Sequence, residues 1–294
     1  MIYNLYFHPL RKFPGPLLTR ASGIPWAIKH VTGIQAHDTQ KLHDKYGPVV
    51  RIGPSHLSFT DPRAWKDIYG HQVGSKINTV ELTKAETFSR TVRSTPTSIL
   101  NTHREEHQRF RRALTHGFSD SSMRQQEPTI SKYVDLLLKR LNEASEKGGK
   151  SINIEAWYNW TTFDVVGELV FGQSFGCLES IDYHPWVEFI FRAIRAGATL
   201  TALTYLGFGW VIPIIVTLGA AALKKIEKYT SDMVSLRLEM ERNDDLFDGL
   251  IKRREEWHLS FEKLSSTAFI LVLAGSEVRC HHRPASCFVV APME

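Results

Sequence analysis

From about Arg104 to Glu277 the chain repeats apolar residues at three- and four-residue spacing in one segment after another. That periodicity commits most of it to helices packed on helices. In "TISKYVDLLLKRLNEASEKGG" the residues Ile130, Tyr133, Val134, Leu137, Leu138 and Leu141 share a face, and Gly148-Gly149 ends the segment. "IEAWYNWTTFDVVGELVFG" is apolar on most of its circumference and closes at Gly172, whereas "LKKIEKYTSDMVSLRLEMERND" is a long charged amphipathic helix. No internal repeat is visible.

The part before Arg104 has a different texture. Pro9, Pro14 and Pro16 punctuate residues 1–19, and "FPGP" stiffens them into an extended hinge. "DTQKLHDKY" is helix-like. "PVVRIGP" and "HLSFTD" are short β-branched or alternating runs bounded by Gly and Pro, the pattern of a hairpin. Asp61-Pro62 then opens another helix, with proline in its first position. The fold class expected is therefore mainly α with a small N-terminal β-sheet.

Composition narrows the function classes. A hydrophobic share of 43% excludes wholesale disorder. The net charge of +5 suits an anionic surface or an acidic partner. There is no aromatic-interleaved basic stripe, so no nucleic-acid partner is expected. Three cysteines, Cys177, Cys280 and Cys287, make no disulfide framework and point to reduced thiols. The N-terminus has no long apolar stretch before its first prolines, so neither a signal peptide nor a membrane anchor is read there. Residues 196–223 carry no charged side chain, which meets the transmembrane length criterion. Their glycines, threonines and Pro213 instead favour shorter buried or membrane-dipping helices, giving possible membrane-surface contact through 196–223.

Four constellations could carry chemistry. "HREEH" contains H-x-x-E-H, with His103 and His107 one helical turn apart and Glu106 as candidate base of a zinc hydrolase. The alternative there is a polar helix start with solvated histidines. His107 and Arg111, also one turn apart, could together donate to a carboxylate or propionate, or could belong to a solvated basic face. In "SFEKLSSTAFILVLAGSE", Ser260 caps a helix with no charge from Thr267 to Gly275, expected to be buried all round. Gly275 beside Ser276-Glu277 suits a ligand lying against the backbone. "CHHRPASC" offers Cys280, His281, His282 and Cys287 as soft ligands, against an unstructured tail as the preferred reading.

Taken in order, "YFHPLRKFPGP", "HDKYGPVVRIGPSHLSFTDPRAWKDIYG", "HREEHQRFRRALTHGFSD", "FDVVGELVFGQSFGCLE" and "LSSTAFILVLAGSE" resemble the cytochrome P450 family, and most closely the fungal microsomal haem-thiolate monooxygenases of secondary metabolism. The resemblance implies a proline-rich hinge over 1–19 and a partial P450 domain over 20–277. Within that domain it implies a small β-containing part over about 20–95 and a helical part over about 96–277. It implies haem as cofactor and hydroxylation of a small hydrophobic substrate. It also implies NADPH-cytochrome P450 reductase as electron donor and the endoplasmic reticulum membrane as location, or a cytoplasmic or peripheral position without an anchor.

The family's W-x-x-x-R falls on His107 and Arg111 as haem-propionate donors. Its [AG]-G-x-[DE]-T falls on Ala274, Gly275, Ser276 and Glu277, placing Glu277 in the proton-delivery region. The expected threonine is Val278, which has no hydroxyl to help move a proton. Beyond Glu277 no E-x-x-R pair and no F-x-x-G-x-x-x-C loop occurs, so the axial thiolate of a haem is missing. Residues 278–294 read as out-of-frame or intron-derived sequence. The expectation for these residues alone is an incomplete P450 fold, truncated within the central oxygen-binding helix and catalytically incompetent, with no metal ligand of its own. A non-catalytic membrane-associated protein is the remaining alternative.

Overall fold

The computed structural model describes residues 1–70, 84–85, 96–146, 152–240, 245–276 and 289–292. The early elements are α1 (Ile2–Tyr6), α2 (Leu17–Ala21), α3 (Ile24–Thr32), α4 (Gln35–Tyr46), β1 (Val49–Gly53), β2 (His56–Phe59) and α5 (Pro62–Tyr69). Then come α6 (Arg104–Gly117), α7 (Asp120–Glu146), α8 (Ile154–Phe171), α9 (Cys177–Ser180) and α10 (Pro185–Tyr205). The last are α11 (Ile212–Leu218), α12 (Ala220–Glu239), α13 (Asp248–Lys252), α14 (Phe261–Ser276) and β3 (Val289–Pro292). The mainly helical fold with a small sheet expected from periodicity is what the chain adopts. It divides into two compact units, one of residues 1–93, 193–218 and 281–294, the other of 94–192 and 219–280.

The first unit is built on the hairpin. β1 and β2 pair antiparallel from Val49↔Phe59 to Gly53↔His56, with the register shifting between Arg51 and Gly53. His43 ties α4 to the sheet, one ring nitrogen 2.8 Å from Ser58 Oγ and the other 2.8 Å from the Gly47 carbonyl. Asp61 caps α5 by accepting from the Arg63 amide at 2.9 Å, with Pro62 in the first turn as its sequence requires. Arg51 is wholly buried. Its guanidinium donates to the Asn4 and Pro54 carbonyls and its amide donates to the Pro14 carbonyl at 2.7 Å. Gly15 lies so close that a Cβ there would sit 2.3 Å from the Arg51 carbonyl oxygen.

Two local expectations need correction here. Residues 1–19 are not simply extended, since α1 and a 3-10 turn at Pro9–Lys12 precede the extended "FPGP". The tail is not wholly irregular either, because β3 adds to β2 with Phe59↔Val289 and His56↔Pro292 in register.

In the second unit α8 is the centre. Its buried residues run from Trp157 to Phe171 around the whole circumference, so an apolar helix with no polar face is what its position demands. Asn153 caps it and Gly172 ends it at φ 76°, in the left-handed region a glycine takes without cost. Glu168 accepts from Lys132 Nζ at 3.0 Å and from the Tyr133 hydroxyl, joining α7 to α8. Buried Asp164 accepts from the amides of Cys177 and Leu178 at 3.1 and 2.8 Å, which fixes α9 against α8. Helix α7 is longer than its periodic part, beginning at Asp120 and running through Pro128.

Candidate functional site

The candidate site residues sit on α6 and α14, both in the second unit. On α6 the buried face is Phe110, Ala113, Leu114 and Gly117. That face packs on α13, where a Cβ at Gly249 would meet the Ala113 carbonyl oxygen at 2.3 Å. Burial of this stripe leaves Arg109, Arg111 and Arg112 exposed. His107 is half-buried and Arg111 exposed, one turn apart. Arg111 presents an exposed guanidinium fork suited to an anionic carboxylate.

The start of α6 is bound to the start of α14. Glu106 accepts from Lys263 Nζ and from the Thr102 hydroxyl. Burial pushes the Glu106 carboxyl up, but those two hydrogen bonds, with the charges of Lys263 and Arg109, outweigh it and hold the carboxyl below its ordinary value. The Ser266 hydroxyl also donates to the Pro96 carbonyl at 3.3 Å.

The zinc-hydrolase alternative finds no support here. The carboxylate that would act as base is held in an ion pair by Lys263. Among the described residues no group of three His, Cys, Asp or Glu side chains could hold a metal ion.

Further along, α14 crosses α8. The Thr162 hydroxyl donates to the Ser276 carbonyl at 3.1 Å, and a Cβ at Gly275 would lie 2.9 Å from Val166 Cγ2. Leu264, Thr267, Ala268, Val272 and Ser276 are buried, whereas Ala274 and Gly275 are exposed. The expected burial all round therefore holds in part: Thr267 to Leu273 are buried or half-buried, with α8 and α12 packed on the helix, and Ala274 and Gly275 are exposed. Ala274 and Gly275 stand roughly 16 Å along the axis from Lys263 at ~1.5 Å per residue. Glu106, next to His107, thus meets the first turn of α14, and the small residues stand at that helix's other end. Glu277 and Val278 lie outside the described residues, as do Cys280, His281, His282 and Cys287.

The chemistry of these donors fits the periphery of a haem. Arg111 and His107 supply nitrogen donors for propionates, and Ala274-Gly275 offers a helix surface with almost no side chain. The iron ligand is not found among the described residues. Cys177 is fully buried, and its sulfur accepts from the His184 amide at 3.4 Å. Burial pushes its thiol up to about 12; that amide opposes the rise, while Asp164 and Asp182 add to it. A buried protonated thiol is a packing residue, inert as a ligand. Lys263, which decides the state of Glu106, had no signature in the sequence. Its only hint was its place in the first turn after Ser260.

A family model described as "Cytochrome P450" matches residues 15–278. The chain is 41% identical over 277 residues to cytochrome P450 monooxygenase tpeC of Talaromyces stipitatus, covering 94% of this chain and 54% of that protein. It is 40% identical over 282 residues to trichothecene C-15 hydroxylase of Fusarium sporotrichioides, covering 94% and 56%. It is 38% identical over 280 residues to averantin hydroxylase of Dothistroma septosporum, covering 94% and 52%. The chain spans about half the length of these curated relatives.

Proposed function

The chain belongs to the cytochrome P450 family, and from that we propose that it is part of a haem-dependent monooxygenase that hydroxylates a small hydrophobic molecule. The match over residues 15–278 carries this reading, because it takes in both helices that bear the candidate site. When bound, haem supplies the redox chemistry of oxygen insertion. His107 and Arg111 donate to its propionates and fix its orientation. Ala274 and Gly275 leave space beside the central helix, and Glu277 belongs to the proton-delivery region. NADPH-cytochrome P450 reductase is the electron donor, and the endoplasmic reticulum membrane is the place of action.

Among the described residues none offers a thiolate for the iron. The one described cysteine, Cys177, is held buried and protonated. On this reading the purified chain, given haem and reduced under carbon monoxide, shows no thiolate-type Soret band. Appearance of that band overturns the assignment of incompetence. Loss of haem retention in Arg111→Ala supports the propionate role, and unchanged retention refutes it.

Membrane-surface contact has its own support. Within 196–223, Phe208, Trp210, Ile214 and Leu218 are exposed, Leu218 at 84%. Among the described residues no single helix is long and apolar enough to cross a membrane. Exposed aromatic and aliphatic side chains of this kind suit a helix lying in the interface plane. Flotation of the chain with liposomes, reduced in Trp210→Ser/Leu218→Ser, tests it; flotation unchanged in that variant removes this segment from the contact.

A further inference from the structure

Helix α3, in the first unit, is apolar on two faces. The inner face is occupied: Ala27 is buried, and the Trp26 ring packs against His30 and Tyr205 with ring centres 4.7 and 4.4 Å away. Ile24, Ile28 and Val31, four and then three residues apart, form a second stripe, and all three are exposed, Ile28 at 57%. A helix with one face in the core and the other in water carries polar residues on the outside. Here the outside is a row of β-branched aliphatics. The helices packed before α3 repeat the pattern, with Tyr6 and Phe7 exposed at the end of α1 and Leu18 exposed on α2 at 75%.

Charge is as uneven as hydropathy. From Met1 to His37 there is no Asp or Glu, whereas Arg11, Lys12, Arg20 and Lys29 are basic. Lys29 is paired with Asp38. Arg11 and Lys12 are exposed, and the Arg11 guanidinium donates to the Tyr6 carbonyl at 2.9 Å, a neutral partner that leaves its charge uncompensated.

We infer that α1–α3 form a lipid-facing surface that selects bilayers with anionic headgroups. Ile24, Ile28 and Val31 enter the boundary between headgroups and acyl chains. Arg11 and Lys12 meet the anionic headgroups, whose surface potential attracts basic residues near the membrane. A stretch of 37 residues without an acid suits a sheet of one charge sign, where a protein partner would present both. This surface is additional to the contact through 196–223, because that uncharged segment cannot supply selectivity for anionic lipid.

The test floats the full chain with phosphatidylcholine vesicles, with and without phosphatidylserine. It is run in the Trp210→Ser/Leu218→Ser background, so that the other segment does not contribute. That chain is expected to float with the phosphatidylserine vesicles and much less with phosphatidylcholine alone, the difference shrinking as salt is added. Arg11→Gln/Lys12→Gln should weaken binding to the anionic vesicles about twenty-five-fold, at roughly fivefold for each basic residue near the surface. Ile28→Ser/Val31→Ser, on exposed positions, should weaken it while leaving the urea midpoint of the chain unchanged. The inference fails if the background chain floats equally with both vesicle types or with neither. It fails equally if either double variant binds anionic vesicles as its parent does. Sedimentation without lipid checks a rival occupant: a dimer that Ile28→Ser/Val31→Ser dissociates would assign the stripe to a second copy and overturn the lipid reading.

Discussion

Gly275 and Val166 lie face to face where α14 crosses α8: a Cβ added at 275 would come 2.9 Å from Val166 Cγ2 and 3.2 Å from Cγ1. Both methyls sit on a β-branched side chain with little rotamer freedom in a helix. The small residue expected to face a ligand is therefore also what lets two helices cross. Gly275→Val is expected to destabilise by about 2 kcal/mol through overpacking. In urea titrations the double variant Val166→Ala/Gly275→Val should lose less than the two single losses added together. Strict additivity would show that the contact does not limit residue 275.

Cys177 should be unreactive in the folded chain. With its thiol near 12, roughly one molecule in ten thousand carries a thiolate at pH 8. Iodoacetamide followed by mass spectrometry of the peptide containing residue 177 should find it unmodified until denaturant is added. Rapid native labelling would contradict its burial.

His56 predicts an acid-side loss of stability. The ring is buried beside Trp26 and Tyr205, and burial pulls its pKa down to about 4. Between pH 6.5 and 4 the unfolded chain binds the proton that the folded one refuses. The contribution of neutral His56 is complete above pH 6.5 and lost as pH falls towards 4. Its size is on the order of 3 kcal/mol. A series of urea titrations across that range should show the decline, and His56→Phe should flatten it.

Glu106 and Lys263 form a partly exposed pair, worth about 0.2–1 kcal/mol and screened by salt. Lys263→Met should cost no more than that, with the difference shrinking at high ionic strength. Elemental analysis should find no stoichiometric zinc in the wild type or in His103→Ala. Zinc that disappears with His103 would reopen the hydrolase reading.

The helices were legible wherever burial imposes a single apolar stripe. "TISKYVDLLLKRL" and the Ile154-to-Gly172 segment could be read from apolar spacing and the closing glycine, as could the Asp61-Pro62 start. The limits are as physical as the successes. The periodic run shows less than the whole of α7, which starts at Asp120 and passes through Pro128, because Asp120 to Pro128 carry a single large apolar residue, Met123. "FVVAP" carries a β-branched run, yet one strand has no meaning until an edge is available, and β2 supplies it. The exposure of Ala274 and Gly275 was hidden because an uncharged sequence says nothing about which neighbours cover it. The H-x-x-E-H spacing fitted a metal, while the residue that disposes of it, Lys263, lies far off in sequence. On α6 the structure adds that Arg111 is exposed while His107, one turn before it, is half-buried beside the stripe that packs on α13.

The burial of Arg51 has a practical consequence. Its guanidinium takes one of its acceptors from Asn4, and its amide takes another from Pro14. Stripping the leading segment to tidy an expression clone would expose nothing useful. It would leave the buried guanidinium with the Pro54 carbonyl alone and the Arg51 amide without an acceptor, two unmet donors that weaken the hairpin. The first fifteen residues act as a latch on the sheet, and an insoluble trimmed clone would be its signature.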